Sequence, residues 1–143
     1  MVEKKDNAIA KFSEASVAVL PEELEAAKQI VEDTFAQIKE EYKVTDPDAK
    51  LTVNVKEAAN IETFTEDTTF AVVTAMVHMP NGVQRMNPEI EGLVQTSLNM
   101  GILTTEESEV QMTFAVRSSS ETEKQYLIEK LKSLTEIFGG SVE

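Results

Sequence analysis

The chain has 143 residues, a length that suits one compact domain, and 41% of them are apolar and 27% charged. The net charge of −13 makes a surface that repels phosphate backbones, which argues against a nucleic-acid partner. Cysteine is absent, which excludes disulfide frameworks, zinc ribbons and thiol catalysis and fits a reducing cytoplasm. No stretch stays apolar for the roughly 18 residues of a membrane span, and no signal peptide is evident.

The first part of the chain predicts a strand, a helix and a second strand. Alternating apolar residues predict the first strand over residues 7–20, and Pro21 ends it. Pro21 also opens a helix, because apolar residues recur at three- and four-residue spacing over residues 24–42. After a turn at residues 46–48, alternation predicts a short strand over residues 51–56.

A second helix is expected to begin near Thr63, because Thr63 and Glu66 have capping-box spacing. It should end before the turn at residues 80–82, where proline, asparagine and glycine follow one another. Its predicted apolar side consists of Phe70, Val73, Met76 and Val77.

The last part predicts a hairpin and a closing helix. Apolar residues alternate over residues 94–102 and again over residues 110–117, with a turn at residues 106–108. A second capping box at residues 120–123 opens the helix, which two glycines end at residues 139–140. Residues 141–143 look like the beginning of a further strand.

These elements predict an α+β fold that is a single domain over residues 1–143. Each predicted strand and helix has one apolar side, and a mainly antiparallel sheet with helices packed on one face covers all of them. We therefore expect a two-layer sandwich.

Few residues carry recognisable chemistry. His78 is the only histidine, and since catalytic zinc sites usually need three protein ligands, no metal site is predicted in this chain. Arg117 ends a hairpin strand on its polar face, where its guanidinium could bind a carboxylate, although the pattern alone favours a solvated strand-end arginine. Asn7, at the start of the first strand, could donate to a carbonyl or carboxylate, or could be a turn residue.

Three motifs resemble the zinc-dependent aminoacyl-histidine dipeptidases, which are also called cytosol non-specific dipeptidases. They are PNGV at residues 80–83, GLVQTSLNMG at residues 92–101 and FAVRSS at residues 114–119. Residues 7–9 are also similar to the family's NAIPREA strand, with Ala10 where proline is usual.

The resemblance implies a part of a two-domain enzyme. In that family a catalytic domain holds two zinc ions, and an inserted lid domain makes the homodimer contact and closes over a dipeptide. The chain resembles the lid, so we expect substrate-binding roles for Arg117 and Asn7, no metal in this chain, no membrane or nucleic-acid partner, and no activity without the catalytic domain. The alternative is an independent, non-catalytic α+β module that binds or associates as a homodimer.

Overall fold

The computed structural model describes residues 10–57 and 61–143, which form two compact units. One unit extends over residues 14–63, and the other contains residues 64–143 together with residues 10–13. The second unit carries the sheet and the family motifs.

The unit of residues 14–63 is built on one long helix. A single 3-10 turn, Pro21–Glu23, leads directly into α1, Leu24–Glu41, which confirms the predicted helix. Proline suits this first turn because its missing N–H would have no partner there. No side chain of α1 is buried within the structure, and even Ile38 on the apolar stripe is 44% exposed. The predicted turn near Asp46 is present, where the N–H of Ala49 donates to the Asp46 carbonyl at 3.3 Å.

Two predicted strands are wrong as far as the structure describes them. Residues 10–20 and residues 51–56 form no strand, and residues 7–9 of the first prediction lie outside the described residues. Alternation indicates an extended segment, but a strand also needs a neighbour for its N–H and C=O groups. In the described residues all ladder pairing belongs to three strands further along the chain.

The second helix, α2, spans Glu66–His78 and begins later than predicted. Thr65 caps it, accepting a hydrogen bond from the Thr68 N–H at 3.2 Å, so the predicted box from Thr63 does not form. The predicted apolar side does not pack inward, because Ala75 is the buried residue whereas Phe70 is 74% exposed. Apolar residues surround much of this helix, and their spacing alone cannot tell which side packs inward.

Three antiparallel strands follow in the order β1-β2-β3: β1 is Gly82–Met86, β2 is Val94–Thr105 and β3 is Val110–Ser118. The β2–β3 hairpin and its turn are confirmed, whereas β1 was not predicted. Gly82 starts β1 with a φ of 80°, a conformation that side chains with a Cβ rarely adopt. Before it, the Asn81 side-chain oxygen accepts from the Met100 N–H at 2.9 Å, which ties the turn to β2.

A bulge changes the predicted alternation in β2. Met100 lies opposite Phe114, but Ile102 lies opposite Thr113, so Gly101 is the extra residue of an irregular register. Ile102 was predicted on the same face as Met100, and this is wrong because one inserted residue reverses the faces beyond it.

The closing helix, α3, spans Glu121–Ile137 and is capped by Ser120 as predicted. It packs against β3 and buries Leu127 to 3% exposure, while the β2 residue Leu98 is buried to 2%. Gly139 follows with a φ of 78° and ends the helix, as predicted. Residues 141–143 form no strand, contrary to expectation.

The predicted α+β class is confirmed by the antiparallel sheet and its helices. None of the helices that the structure describes is both long and apolar enough to cross a bilayer.

Candidate functional site

The two faces of the sheet differ near the end of β3. Neighbouring residues of a strand point to opposite faces, and residues directly opposite each other in the ladder share a face. The face against α3, here called the helix face, carries Thr96, Leu98, Val116 and Ser118. The other, here called the Arg117 face, carries Val83, Ser97, Asn99, Ala115 and Arg117.

Arg117 lies where the polar pattern predicted it. It is the penultimate residue of β3, is exposed, and lies opposite Ser97 of β2. No carboxylate of the described chain lies within ion-pair distance of its guanidinium. In a chain of net charge −13, an arginine without such a partner has its hydrogen-bond fork available to an anionic ligand.

A concavity of about 220 Å³ lies beside Arg117 on this face. Pockets that enclose a complete small ligand are usually about 300–1,000 Å³, so this one would hold only part of a ligand. Three chemical features meet in it: a cation, small polar groups and a short apolar wall. Its lining residues are Gly82, Val83, Ser97, Leu98, Asn99, Ala115 and Arg117.

The other predicted substrate residue, Asn7, lies outside the described residues, so its role stays a prediction. Ser97 and Asn99 were not singled out from the sequence, although both line the concavity with Arg117. The alternation of β2 placed them on its polar face. Only the register, which sets Ser97 opposite Arg117, brings them to the site.

Behind this site, on the helix face, the Glu123 carboxylate gathers three donors. Arg85 Nη1 donates to Oε1 at 2.7 Å, Gln95 Nε2 donates to Oε2 at 2.9 Å, and the Thr96 hydroxyl also donates to Oε2. The hydrogen bonds from Thr96 and Gln95 lower the pKa of the Glu123 carboxyl, and the charge of Arg85 lowers it further, although partial desolvation opposes them.

The role of Glu123 differs from the one its spacing predicts. Ser120 does cap α3, accepting from the Glu123 N–H at 3.5 Å, but the Glu123 side chain does not reach back to Ser120. Instead the Ser120 N–H donates to Ser118 Oγ at 3.0 Å. The capping spacing is present in the sequence, but the Glu123 carboxylate accepts hydrogen bonds from Gln95 and Thr96 of β2 in place of the Ser120 N–H.

The described residues do not form a zinc site. His78 ends α2, is exposed, and makes a 2.9 Å hydrogen bond through Nδ1 with the Thr74 carbonyl oxygen four residues earlier. No three His, Asp or Glu side chains of the described chain come together in a group that could hold a metal ion. The donor set that catalytic zinc usually needs is therefore not assembled by these residues.

An apolar surface lies on α2, and we call it the α2 surface. A concavity of about 410 Å³ beside it is lined partly by acidic and hydroxyl groups, from Glu66 and Thr69. Exposed side chains of this size in one patch are typical of contact surfaces. The surface consists of Phe70, Val73, Met76 and Val77 of α2 and of Phe64, which precedes the helix and lines the concavity with Phe70 and Val73.

Comparison with known proteins relates this α+β chain to peptide hydrolases. No protein-family model matches it. It is 27% identical over 139 residues to the cytosol non-specific dipeptidase of Escherichia coli strain K12, covering 96% of this chain and 28% of that protein. The aminoacylhistidine dipeptidase structure from Vibrio alginolyticus matches with a TM-score of 0.79 and 30% identity, covering 85% of this chain and 25% of that one.

The chain is thus related to one segment of the dipeptidase family, which confirms the resemblance carried by its motifs. It spans about a quarter of the length of these two relatives. The three motifs correspond to the turn into β1, to the entry and first two thirds of β2, and to the end of β3. Their residues meet at the Arg117 concavity, which makes this face the best candidate for a functional site.

Proposed function

We propose that the chain is the single lid and dimerisation domain of a cytoplasmic zinc-dependent dipeptidase that hydrolyses Xaa-His and related dipeptides. In this proposal Arg117 binds the dipeptide carboxylate, Asn7 reaches the same substrate, and the chain contributes no zinc ligand. The two zinc ions and the catalytic residues belong to the enzyme's other domain.

One observation carries the proposal most: Arg117 has no ion-pair partner in the described chain and lies in a concavity built by all three family motifs. The concavity is too small to enclose a dipeptide by itself. A lid needs to cover only part of the substrate, because the rest of the dipeptide faces the catalytic domain.

The chain's own chemistry would be binding, orientation and exclusion of water. The planar guanidinium of Arg117 can donate two parallel hydrogen bonds to the carboxylate of a dipeptide. Closing the site strengthens these bonds because water no longer screens the charges. Zinc in the other domain would supply the activation of water. Fixing the far end of the substrate holds the peptide bond in position for that chemistry.

The test is kinetic and uses the full-length enzyme that contains this chain. Arg117→Ala should lower kcat/KM for a dipeptide by about 100-fold, the size of a lost charge-assisted bidentate contact, and leave the zinc content unchanged. Arg117→Lys keeps the charge but loses the fork, so it should recover only part of the activity. Lys130→Ala, at an exposed position of α3, is the control. Wild-type kinetics in Arg117→Ala would remove Arg117 from the site.

The chain by itself tests the division of labour. We expect no dipeptidase activity and no stoichiometric zinc in the purified 143-residue protein, as measured by a peptide-release assay and by elemental analysis. Stoichiometric zinc would contradict the proposal. The reading frame on either side of this segment should encode zinc-ligand histidines and carboxylates, and a stop codon directly upstream would favour the independent module instead.

The independent homodimeric module remains the second candidate, and the α2 surface is the observation in its favour. Pairing two copies would remove side chains such as Phe70 and Val77 from water. Phe70→Gln combined with Val77→Gln should then convert a dimer into a monomer in sedimentation velocity. Tyr126→Gln, at a residue of α3 that is 67% exposed, is the matched control. The lid proposal also predicts a dimer, so only activity and the flanking sequence separate the two candidates.

A further inference from the structure

The hydrogen bonds behind Arg117 form a closed ring. The Thr96 hydroxyl uses its one hydrogen to donate to the Glu123 carboxylate, so in its 2.8 Å contact with Ser118 it must be the acceptor and Ser118 the donor. Ser118 Oγ in turn accepts from the Ser120 N–H, and Ser120 Oγ accepts from the Glu123 N–H. The hydroxyls of Thr96 and Ser118 therefore have defined directions, and the ionised Glu123 carboxylate accepts the last hydrogen bond.

This ring is well shielded where it meets the sheet. Thr96 is 2% exposed and the Glu123 side chain is 22% exposed. No buried side-chain nitrogen or oxygen in the described chain lacks a partner. Such a network holds Thr96 in one geometry, because rotation of its side chain would leave a buried hydroxyl without a hydrogen bond.

The ring also holds the backbone on both sides of the Arg117 site. Ser118 directly follows Arg117 in β3, and Thr96 directly precedes Ser97, which is the residue opposite Arg117. The ladder continues beyond the strand end, where the Ser119 N–H donates to the Gln95 carbonyl at 3.0 Å. Side-chain hydrogen bonds therefore join β2 and β3 beside the Ser97–Arg117 pair and fix the distance between the two strands there.

We propose that Glu123 is a positioning residue for the carboxylate-binding arginine of this chain. Through Thr96 and Ser118 it fixes the end of β3 against β2, and this fixes the origin of the Arg117 side chain beside Ser97. Glu123 does not touch the substrate, because its carboxylate lies on the opposite face of the sheet. The inference rests on the proposed function, in which Arg117 binds the dipeptide carboxylate.

The closing experiment compares two substrates in the full-length enzyme: a dipeptide and the same dipeptide with an amidated C-terminus. Arg117 should favour the free carboxylate, so the ratio of the two kcat/KM values measures its contact. Glu123→Gln keeps the shape of the side chain but removes the charge and one acceptor oxygen. We expect it to lower this ratio by about tenfold, the size of one hydrogen bond to a charged group, mainly through KM for the dipeptide.

Matched variants separate positioning from general damage. Thr96→Val keeps the volume but breaks the ring and should lower the ratio as Glu123→Gln does, whereas Thr96→Ser keeps the hydroxyl and should retain it. A loss of folded enzyme lowers both kcat/KM values equally and leaves the ratio unchanged, which would overturn the positioning role.

Failure of the inference and failure of the proposed function give different results. If Arg117→Ala leaves the ratio unchanged, the proposed function is wrong. If Arg117→Ala lowers it but Glu123→Gln and Thr96→Val do not, only the inference about Glu123 is wrong. If Glu123→Gln does not fold, Thr96→Val and Thr96→Ser decide the question alone.

Discussion

The two faces of the β2–β3 ladder have different roles: residues on the helix face stabilise the fold, and their neighbours on the Arg117 face are the candidates for binding. On the helix face Thr96 and Leu98 are each 2% exposed, and the polar groups there are paired with α3. On the other face Ser97 and Arg117 line a concavity, and the guanidinium has no ion pair in the described chain. Successive residues of the same two strands thus have opposite roles.

The difference shows how a small sheet can carry a site without losing its fold. Side chains that pack against a helix must match it in shape, and a change there leaves a cavity or an unpaired group. Side chains on the other face are free to vary with the ligand. A substitution on one face should therefore alter stability, and a substitution on the other should alter binding.

The largest effect on stability is expected from Leu98→Ala on the helix face. Removing this buried side chain should lower the free energy of unfolding by about 2–5 kcal/mol, because it loses apolar burial and leaves a cavity against the helix. Urea denaturation followed by circular dichroism measures it. Val83→Ala on the Arg117 face, where the side chain is 56% exposed, should cost less than about 1 kcal/mol. Equal losses in both variants would contradict the division between the faces.

A smaller, pH-dependent effect is expected at Glu123. Its pKa is lowered in the folded chain by hydrogen bonds from Thr96 and Gln95 and by the charge of Arg85. A lowered pKa means that this carboxylate stabilises the fold above its unfolded pKa, ordinarily about 4.3, and that the stabilisation is lost as the pH falls through the folded value. The difference in the free energy of unfolding between wild type and Glu123→Gln, measured by urea denaturation at each pH, should therefore shrink as the pH is lowered.

The control is the same comparison, the free energy of unfolding with and without Glu123→Gln across a range of pH, in a Thr96→Val background. Without the Thr96 hydroxyl the largest cause of the lowered pKa is gone, so the stability difference made by Glu123→Gln should depend less on pH. An unchanged pH dependence would mean that the hydrogen bond from Thr96 does not lower the pKa of Glu123.

The smallest effect on stability is expected from Arg117→Ala. Its side chain is exposed and makes no ion pair in the described chain, so the free energy of unfolding should change by no more than about 0.5 kcal/mol. Thermal unfolding of the 143-residue chain measures this. A large loss would show that Arg117 supports the fold and would weaken its assignment to binding.

Much of the sheet unit could be read from local patterns. The β2–β3 hairpin, the cap at Ser120 and the helix end at Gly139 were all predicted, because each depends on residues close together in the chain. The placement of Arg117 on the polar face of β3 was also predicted, since alternation alone determines it.

What the patterns could not supply is pairing and the choice of buried side. Residues 10–20 and 51–56 alternate as strands do, yet no described segment pairs with them. In α2 the apolar side chains surround the helix, and only the fold decided that Ala75 would pack inward and Phe70 outward. Ladder partners and packing partners lie far away in sequence, so no local pattern contains them.

By itself the sequence determined the α+β class, the family resemblance and the strand position of Arg117. Only the tertiary structure decided that Ser97 and Asn99 join Arg117, and that Glu123 leaves its predicted cap for Thr96. The physical reason is that strand register and the docking of α3 bring together groups that are distant along the chain. The Glu123 carboxylate accepts hydrogen bonds from the donors that lie near it in the folded chain, and not from those nearest in sequence.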